Sequence, residues 1–580
     1  MTLPQLAASD NRPLFSASVR ADLLWFFAFA LILLAVGIGL RDPWPADEPR
    51  FALAAKQMFE SGDWLFPHRG IELYADKPPL FMALQAAAYS LVRSWRIAFL
   101  LPSLLAALGT LALTYDLARR LWNHRTGLYA AILLLFTVQF TFQAKKAQID
   151  PTVSFFIMLS CYGLLRHMLL GPDWRLYWLA FFAAGLGVIT KGVGFIALLM
   201  LLPYLFARWR GWDQLARIDR GDWRWWLGPL FFLFAIALWL APLLLHVHWY
   251  PSAESSAYLH DILLHQTAER FADAWQHQQP WWYFLGVIAG SWMPLVLALP
   301  GTLPAWRERF AARDARFLLP LAWLVLVVIF FSLSRGKRDV YILPALPMLA
   351  LTTAPFLETL LQKRWLQYLC LGLLAVLTFG LLTIGLSALF AHSGFSVRLA
   401  QDRGFDPDSN GQWLLLLGIG LIGLLSLVWF RRQRAPIGLL LMLSGVWLLF
   451  GLCGYPLLNP TSSASAIMAH AAELAGPETT LGLVAWKEQN LLQSPPGTQN
   501  FGFVKPWHEQ LAQAISWQRE QPQHRVIFIL DDALGNCVDK SRAMLVGHAN
   551  RRGWWLLRAD AVLPDCVPQA VLQHEDDSGP

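Results

Sequence analysis

From Asp22 to Leu40 the chain reads DLLWFFAFALILLAVGIGL, and nothing in it constrains the fold more than this kind of run. A helix needs about 20 mostly apolar residues to cross a bilayer. Inside lipid every backbone N–H and C=O must find its partner within the segment, so such a run becomes a helix. Twelve further runs qualify: roughly 97–118, 126–143, 151–169, 175–190, 193–207, 225–246, 281–300, 317–334, 341–358, 365–390, 412–430 and 436–454. Together they predict a polytopic α-helical membrane protein of about 13 transmembrane helices.

Composition agrees. Hydrophobic residues make up 56% of the chain and charged residues 15%, against about 25% charged in an average soluble domain. The 29 Trp and 37 Phe suit long boundaries where aromatic rings sit at headgroup level. A net charge of +7 does not make this a nucleic-acid binder. The basic residues fall in short loops such as ARRLWNHR, PAWRERFAARDARF, LLQKRW and FRRQR, where cytoplasmic loops carry positive charge. The first run is long enough to span and no small-residue cleavage site follows it, so it is expected to stay as an anchor.

Pro79–Val92 is apolar but only about 14 residues long, too short to span, and is expected to lie on the outer surface. Excluding it keeps every densely basic loop on the N-terminal, cytoplasmic side. The outside then receives loops 41–96, 144–150, 247–280 and 391–411, together with everything after the thirteenth span. The chain divides into a membrane region, 1–454, and a C-terminal region, 455–580. There RVIFILDD reads as a buried strand and HEQLAQAISWQREQ as an amphipathic helix, so a small α/β domain is expected. Cys161, Cys370 and Cys453 lie in apolar spans as small hydrophobes, whereas Cys537 and Cys566 are either a disulfide or two free thiols.

The positive-inside rule leaves some charges unexplained. Arg50, Lys77, Lys145, Lys146, Lys191, Arg270 and the SRGKRD cluster at 334–339 all fall outside. Each alone could snorkel to lipid headgroups. Converging on one face beside carboxylates, they suit a lipid-borne phosphate in a partly dry site. The carboxylates are Asp47 and Glu48, just after the first span, and Asp150, which could also be an ordinary N-cap before Pro151. Acids so placed can orient or deprotonate an acceptor, or stabilise positive charge on a sugar. His260 and His265 are five apart and form no compact ligand motif. One divalent metal is conceivable, with Asp76 and His265 as ligands brought together by folding.

At these residues the chain resembles the bacterial family of 4-amino-4-deoxy-L-arabinose lipid A transferases and related undecaprenyl-phosphate-dependent glycosyltransferases. More distantly it resembles the protein O-mannosyltransferases that use dolichyl-phosphate-mannose. The resemblance is carried by DEPR (47–50), SGDW (61–64), YADKPPL (74–80), QID (148–150), TKG (190–192), ERF (269–271), QPWWYF (279–284) and SRGKRDVYILPALP (334–347). It implies a GT-C-like fold in the bacterial inner membrane, with the active site and the small C-terminal α/β domain facing the periplasm. The implied reaction is an inverting transfer from an undecaprenyl-phosphate-linked sugar to lipid A, another glycan or a protein. Asp47 and Asp150 match the family's essential acids, and Lys77 and Arg270 match positions that hold the donor phosphate. Arg50, Tyr74, Lys191 and Tyr341 match lining positions. Asp76, where the family commonly has Glu, would pair with His265 at a metal. The main rival is a flippase moving lipid-linked sugar without chemistry; against it stand the lack of mid-depth charge and of paired broken helices. A non-catalytic sensor acting through its C-terminal region is a second rival.

Overall fold

The apolar runs are helices in the computed structural model, which describes residues 17–219, 221–263, 278–390, 394, 398, 410–549, 552–564 and 566–570. Among the described residues, nine helices are long and apolar enough to cross a membrane. The number is eleven if each of two bent pairs is one span. His124–Leu135 and Val138–Ala144 meet at 71°, and Tyr283–Ser291 and Leu295–Ala311 at 95°. Pro294 stands in the second break, where its missing N–H leaves no helical bond to lose. These bends correct the expectation that broken helices would be lacking.

The remaining two expected spans fold differently. Run 175–190 is the Trp174–Lys191 helix, with basic residues near both ends. Run 193–207 is split into the 3-10 turn Gly194–Met200 and the helix Leu201–Trp209, together a short apolar stretch rather than a span. The chain reverses at Gly192, which has a φ of 85° that side chains resist. It returns close enough that a Cβ on Gly194 would lie 2.3 Å from the Ala184 carbonyl oxygen. The thirteen runs thus exceed by two the eleven segments whose length and composition suit a span.

Outside the spans, Glu48–Ser61 and Leu80–Val92 form a helical pair. Phe51 meets Phe81 edge to face at 5.5 Å and Phe59 meets Tyr89 at 4.9 Å. Leu80–Val92 is 13 residues long, buries Phe81, Met82, Gln85 and Ala86, and exposes Leu91. Between the pair runs a hairpin of β1 (His68–Arg69) and β2 (Glu72–Leu73).

The C-terminal region holds a five-stranded sheet built from β3 (Thr480–Val484), β4 (Gln499–Asn500), β5 (Arg525–Leu530), β6 (Met544–Ala549) and β7 (Arg552–Leu557). The order is β4-β3-β5-β7-β6, with β3 parallel to β4 and β5, and β7 antiparallel to β5 and β6. Helix Trp507–Glu520 buries Leu511, Ala514 and Ile515 as its 3.6-residue period requires. Cys537 and Cys566 form a disulfide, resolving the alternative left open by the sequence. The region is tied to the first long loop: the Glu72 carboxylate accepts from the backbone N–H of Phe503 (3.0 Å) and Val504 (3.1 Å). The Asn459 amide oxygen accepts from the Asp42 N–H at 2.8 Å.

One buried ion pair joins the first loop to the segment before Asp150. Glu48 accepts from the Arg41 guanidinium (2.7 Å to Oε1), from Trp44 N (2.9 Å) and from Ala147 N (2.9 Å). Arg41 also donates to the Lys145 carbonyl oxygen at 3.0 Å. Glu48→Ala is expected to cost about 3–5 kcal/mol, because a stranded buried charge is worse than none. The joint change Arg41→Met with Glu48→Leu should lose far less. Thermal unfolding midpoints in detergent decide, and equal losses would refute the explanation.

Lys145 beside it is only 4% exposed, and its ammonium donates to the carbonyl oxygens of Val36 (2.8 Å) and Leu34 (3.3 Å). Burial, helped by the Arg41 charge, pushes its pKa down to about 7. An unfolded lysine titrates near about 10.4. Between these values the unfolded chain binds a proton that the folded chain does not, so stability rises with pH across that window. Below about 7 the penalty is complete and constant. The unfolding midpoint is expected to climb from about pH 7 to about pH 10, and Lys145→Met should flatten that climb.

Candidate functional site

Asp47 precedes the Glu48–Ser61 helix but makes no side-chain cap there. Its carboxylate accepts from Arg338 Nη2 at 2.7 Å and from Gln148 Nε2 at 3.0 Å. Burial alone would raise its pKa. The guanidinium of Arg338, then Arg50 and Lys191, outweigh that and hold Asp47 below the usual carboxylate range. A solvated turn is therefore the wrong description of this residue.

Asp150 sits in the first turn of the Ile149–Leu170 helix, two residues beyond the true N-cap, Gln148. It is buried and forms an ion pair with Lys191, the last residue of Trp174–Lys191. The capping role considered for it is thus not the one it plays. Lys191 also lies over the Tyr341 ring, 4.8 Å from its centre. Tyr341 belongs to the 3-10 turn Asp339–Ala345, which Gln139 pins by donating to the Asp339 carbonyl oxygen at 2.8 Å.

Arg338, just before that turn, links the two acids. Desolvation would lower its pKa, but the charges of Asp47 and then Asp150 hold it raised. Asp47, Asp150, Lys191, Arg338 and Tyr341 therefore make one connected cluster, assembled from four separate stretches of chain.

A second group adjoins it. Arg50 Nε donates to Glu488 at 3.0 Å, and Arg69 approaches the same carboxylate and Asp76 at 3.7 Å each. Despite burial, Glu488, Tyr74, Asp47 and Asp76 together hold the Arg50 pKa raised. The Arg69 guanidinium lies 5.4 Å from the Tyr74 ring centre. Tyr74 is buried, which raises its pKa, and its hydroxyl has no hydrogen-bond partner among the described residues. Lys77 donates to the Asp76 carbonyl oxygen at 2.8 Å, directly before Leu80–Val92.

Arg270 and His265 lie outside the described residues. Among the described residues no three His, Cys, Asp or Glu side chains form a group fit to hold a metal. Asp76, the other expected ligand, faces Arg69 instead. Four residues of the assembly went unassigned in the sequence: Arg338, Gln148, Arg69 and Glu488. The first two stand inside motifs already noted; Glu488 lies in the C-terminal region, where no motif signalled it.

The arrangement combines two carboxylates, each with its own cation, and an adjacent arginine pair in a half-buried setting. It can hold a phosphate and set two carboxylates beside a reacting group. A family model for dolichyl-phosphate-mannose-protein mannosyltransferase matches residues 21–250. The chain is 30% identical over 581 residues to the undecaprenyl phosphate-alpha-4-amino-4-deoxy-L-arabinose arabinosyl transferase of Pseudomonas aeruginosa strain LESB58, covering 93% of this chain and 99% of that one. It is 31% identical over 378 residues to the transferase of the same name from Pectobacterium carotovorum, covering 63% and 65%. The crystal structure of ArnT from Cupriavidus metallidurans in the apo state is similar at a TM-score of 0.69 and 21% identity, covering 95% of this chain and 100% of that one. The same protein bound to undecaprenyl phosphate gives 0.68 and 19%, with the same coverage. The likeness to these two structures shows the polytopic membrane fold.

Proposed function

This chain belongs to the family of undecaprenyl phosphate-alpha-4-amino-4-deoxy-L-arabinose arabinosyl transferases, and from that membership we propose that it moves a sugar from an undecaprenyl-phosphate-linked donor to lipid A or another envelope acceptor. It is a multi-pass membrane glycosyltransferase. We assign it to the inner membrane with its N-terminus cytoplasmic and its site periplasmic. The basic loops support that orientation, and the Cys537–Cys566 disulfide suits an oxidising compartment. The observation that carries the reading is the meeting of Asp47 and Asp150 through Arg338.

In the proposed step an acceptor oxygen attacks the anomeric carbon as its bond to the phosphate oxygen breaks, with inversion. The bond's electron pair leaves with the undecaprenyl phosphate. Lys77, with Arg270, neutralises the phosphate as charge grows on it. Asp47, kept below the ordinary carboxylate range by Arg338, is a weak base. Its role is to stabilise positive charge developing on the sugar ring. A hydroxyl acceptor would then give its proton to Asp150. Arg50, Tyr74, Lys191 and Tyr341 line the site and fix its charges.

Purified protein supplied with the undecaprenyl-phosphate-linked aminosugar and envelope lipid should release undecaprenyl phosphate. Asp47→Asn and Asp150→Asn should each slow release by about 100-fold or more. Lys77→Ala should weaken donor binding about tenfold. Full release from both Asn variants would sink the mechanism, and donor movement without release would point to a flippase.

A further inference from the structure

Glu488 is buried, at 4% exposure, and comes from the C-terminal region, yet its carboxylate lies against two arginines of the first external loop. Arg50 donates to it at 3.0 Å, and Arg69 stands 3.7 Å away. Arg69 is further held by the Phe503 ring, 4.0 Å from its guanidinium. Two donors in this group have no acceptor among the described residues: Arg69 Nε and the Tyr74 hydroxyl. Buried donors without acceptors are uncommon and call for a physical reason. Two guanidinium groups beside unmatched donors offer the planar, bidentate recognition that suits phosphate as well as carboxylate.

We propose that Arg50 and Arg69 join Lys77 in seating the phosphate of the lipid carrier, and that Glu488 occupies the two arginines as a competing anion. This rests on the transfer proposed above and deepens it, because it gives the C-terminal region a part in the handling of the carrier. The donor is a phosphodiester with one negative charge. The released undecaprenyl phosphate is a monoester carrying closer to two. A cationic site that binds the donor well would bind this product better still. A carboxylate that returns to the arginines opposes the product more strongly than the donor, and so favours its release.

The sign of the effect separates this from a positioning or structural role. If Glu488 only held the arginines in place, its loss would weaken carrier binding by freeing two side chains. If it competes, its loss removes a negative charge a few ångströms from the phosphate. In a half-buried setting that repulsion exceeds the ordering cost of two side chains. Affinity should then rise.

The experiment compares the full-length protein and its Glu488→Gln variant in detergent, titrated with undecaprenyl phosphate and separately with undecaprenol, the uncharged alcohol. Glu488→Gln is expected to bind undecaprenyl phosphate about tenfold more tightly and to leave undecaprenol affinity unchanged. Glu488→Asp, with its carboxylate drawn back, should fall between. Misfolding cannot imitate a gain in affinity; if the Gln variant does not fold, the Asp variant carries the test. Unchanged or weaker binding of undecaprenyl phosphate, or an equal change for undecaprenol, would overturn the proposal. Neither titration needs turnover, so this can fail while sugar transfer stands, and transfer can fail while this stands.

Discussion

The arrangement depends on one buried ion pair, Arg41 with Glu48. A charge pair in a dry interior is favoured when most of its remaining donors and acceptors are satisfied. Of the Arg41 guanidinium nitrogens, Nε alone has no acceptor among the described residues. Here the carboxylate also takes the N–H groups of Trp44 and Ala147, while the guanidinium reaches the Lys145 carbonyl. The guanidinium is flanked by the rings of Trp44, Phe99 and Tyr455 at 5.0, 5.3 and 5.0 Å. Tyr455 belongs to the long Arg432–Ser462 helical segment. A single pair therefore gathers the end of the first span, the segment before Asp150 and the last membrane segment. Asp47 is next in sequence to Glu48, and Asp150 is three residues beyond Ala147. Fixing one backbone against the other fixes the two acids.

With the acids held, the site's electrostatics follow a simple rule: each acid faces a cation. Asp47 has Arg338, Asp150 has Lys191, Glu488 has Arg50, and Arg69 stands beside both Asp76 and Glu488. For Asp47 this pairing outweighs burial and holds its pKa below the usual carboxylate range.

Much of this was legible beforehand, and what was not has a common cause. Apolar length gave the helices because lipid leaves the backbone no other solution. The motifs around Asp47, Asp150, Lys191 and Tyr341 gave most of the cluster. The bends at 135–138 and 291–295 were not visible, since apolar periodicity is silent about the angle between two halves of one run. Gly192 and Gly194 place a tight reversal between the Trp174–Lys191 helix and the broken run after it. Arg338 stood in a cluster already noted, but its pairing with Asp47 joins residues nearly 300 positions apart. Glu488 reaches Arg50 across a still greater separation. Local pattern carries no information about such partners.

The cations expected outside could have been ordinary snorkelling side chains, and the partners of four of them argue against that. A snorkelling lysine or arginine stretches its head toward water and phosphate while its stem lies along apolar surface. Lys145 does the reverse: its ammonium is buried on the carbonyls of Leu34 and Val36. Lys191 turns inward to Asp150 and Tyr341, Arg338 to Asp47, and Arg50 to Glu488. Burying a cation costs free energy that bulk headgroups would have offered without charge. Lys191, Arg338 and Arg50 recover that cost by pairing with the chain's own acids, which a side chain reaching for bulk headgroups would not do.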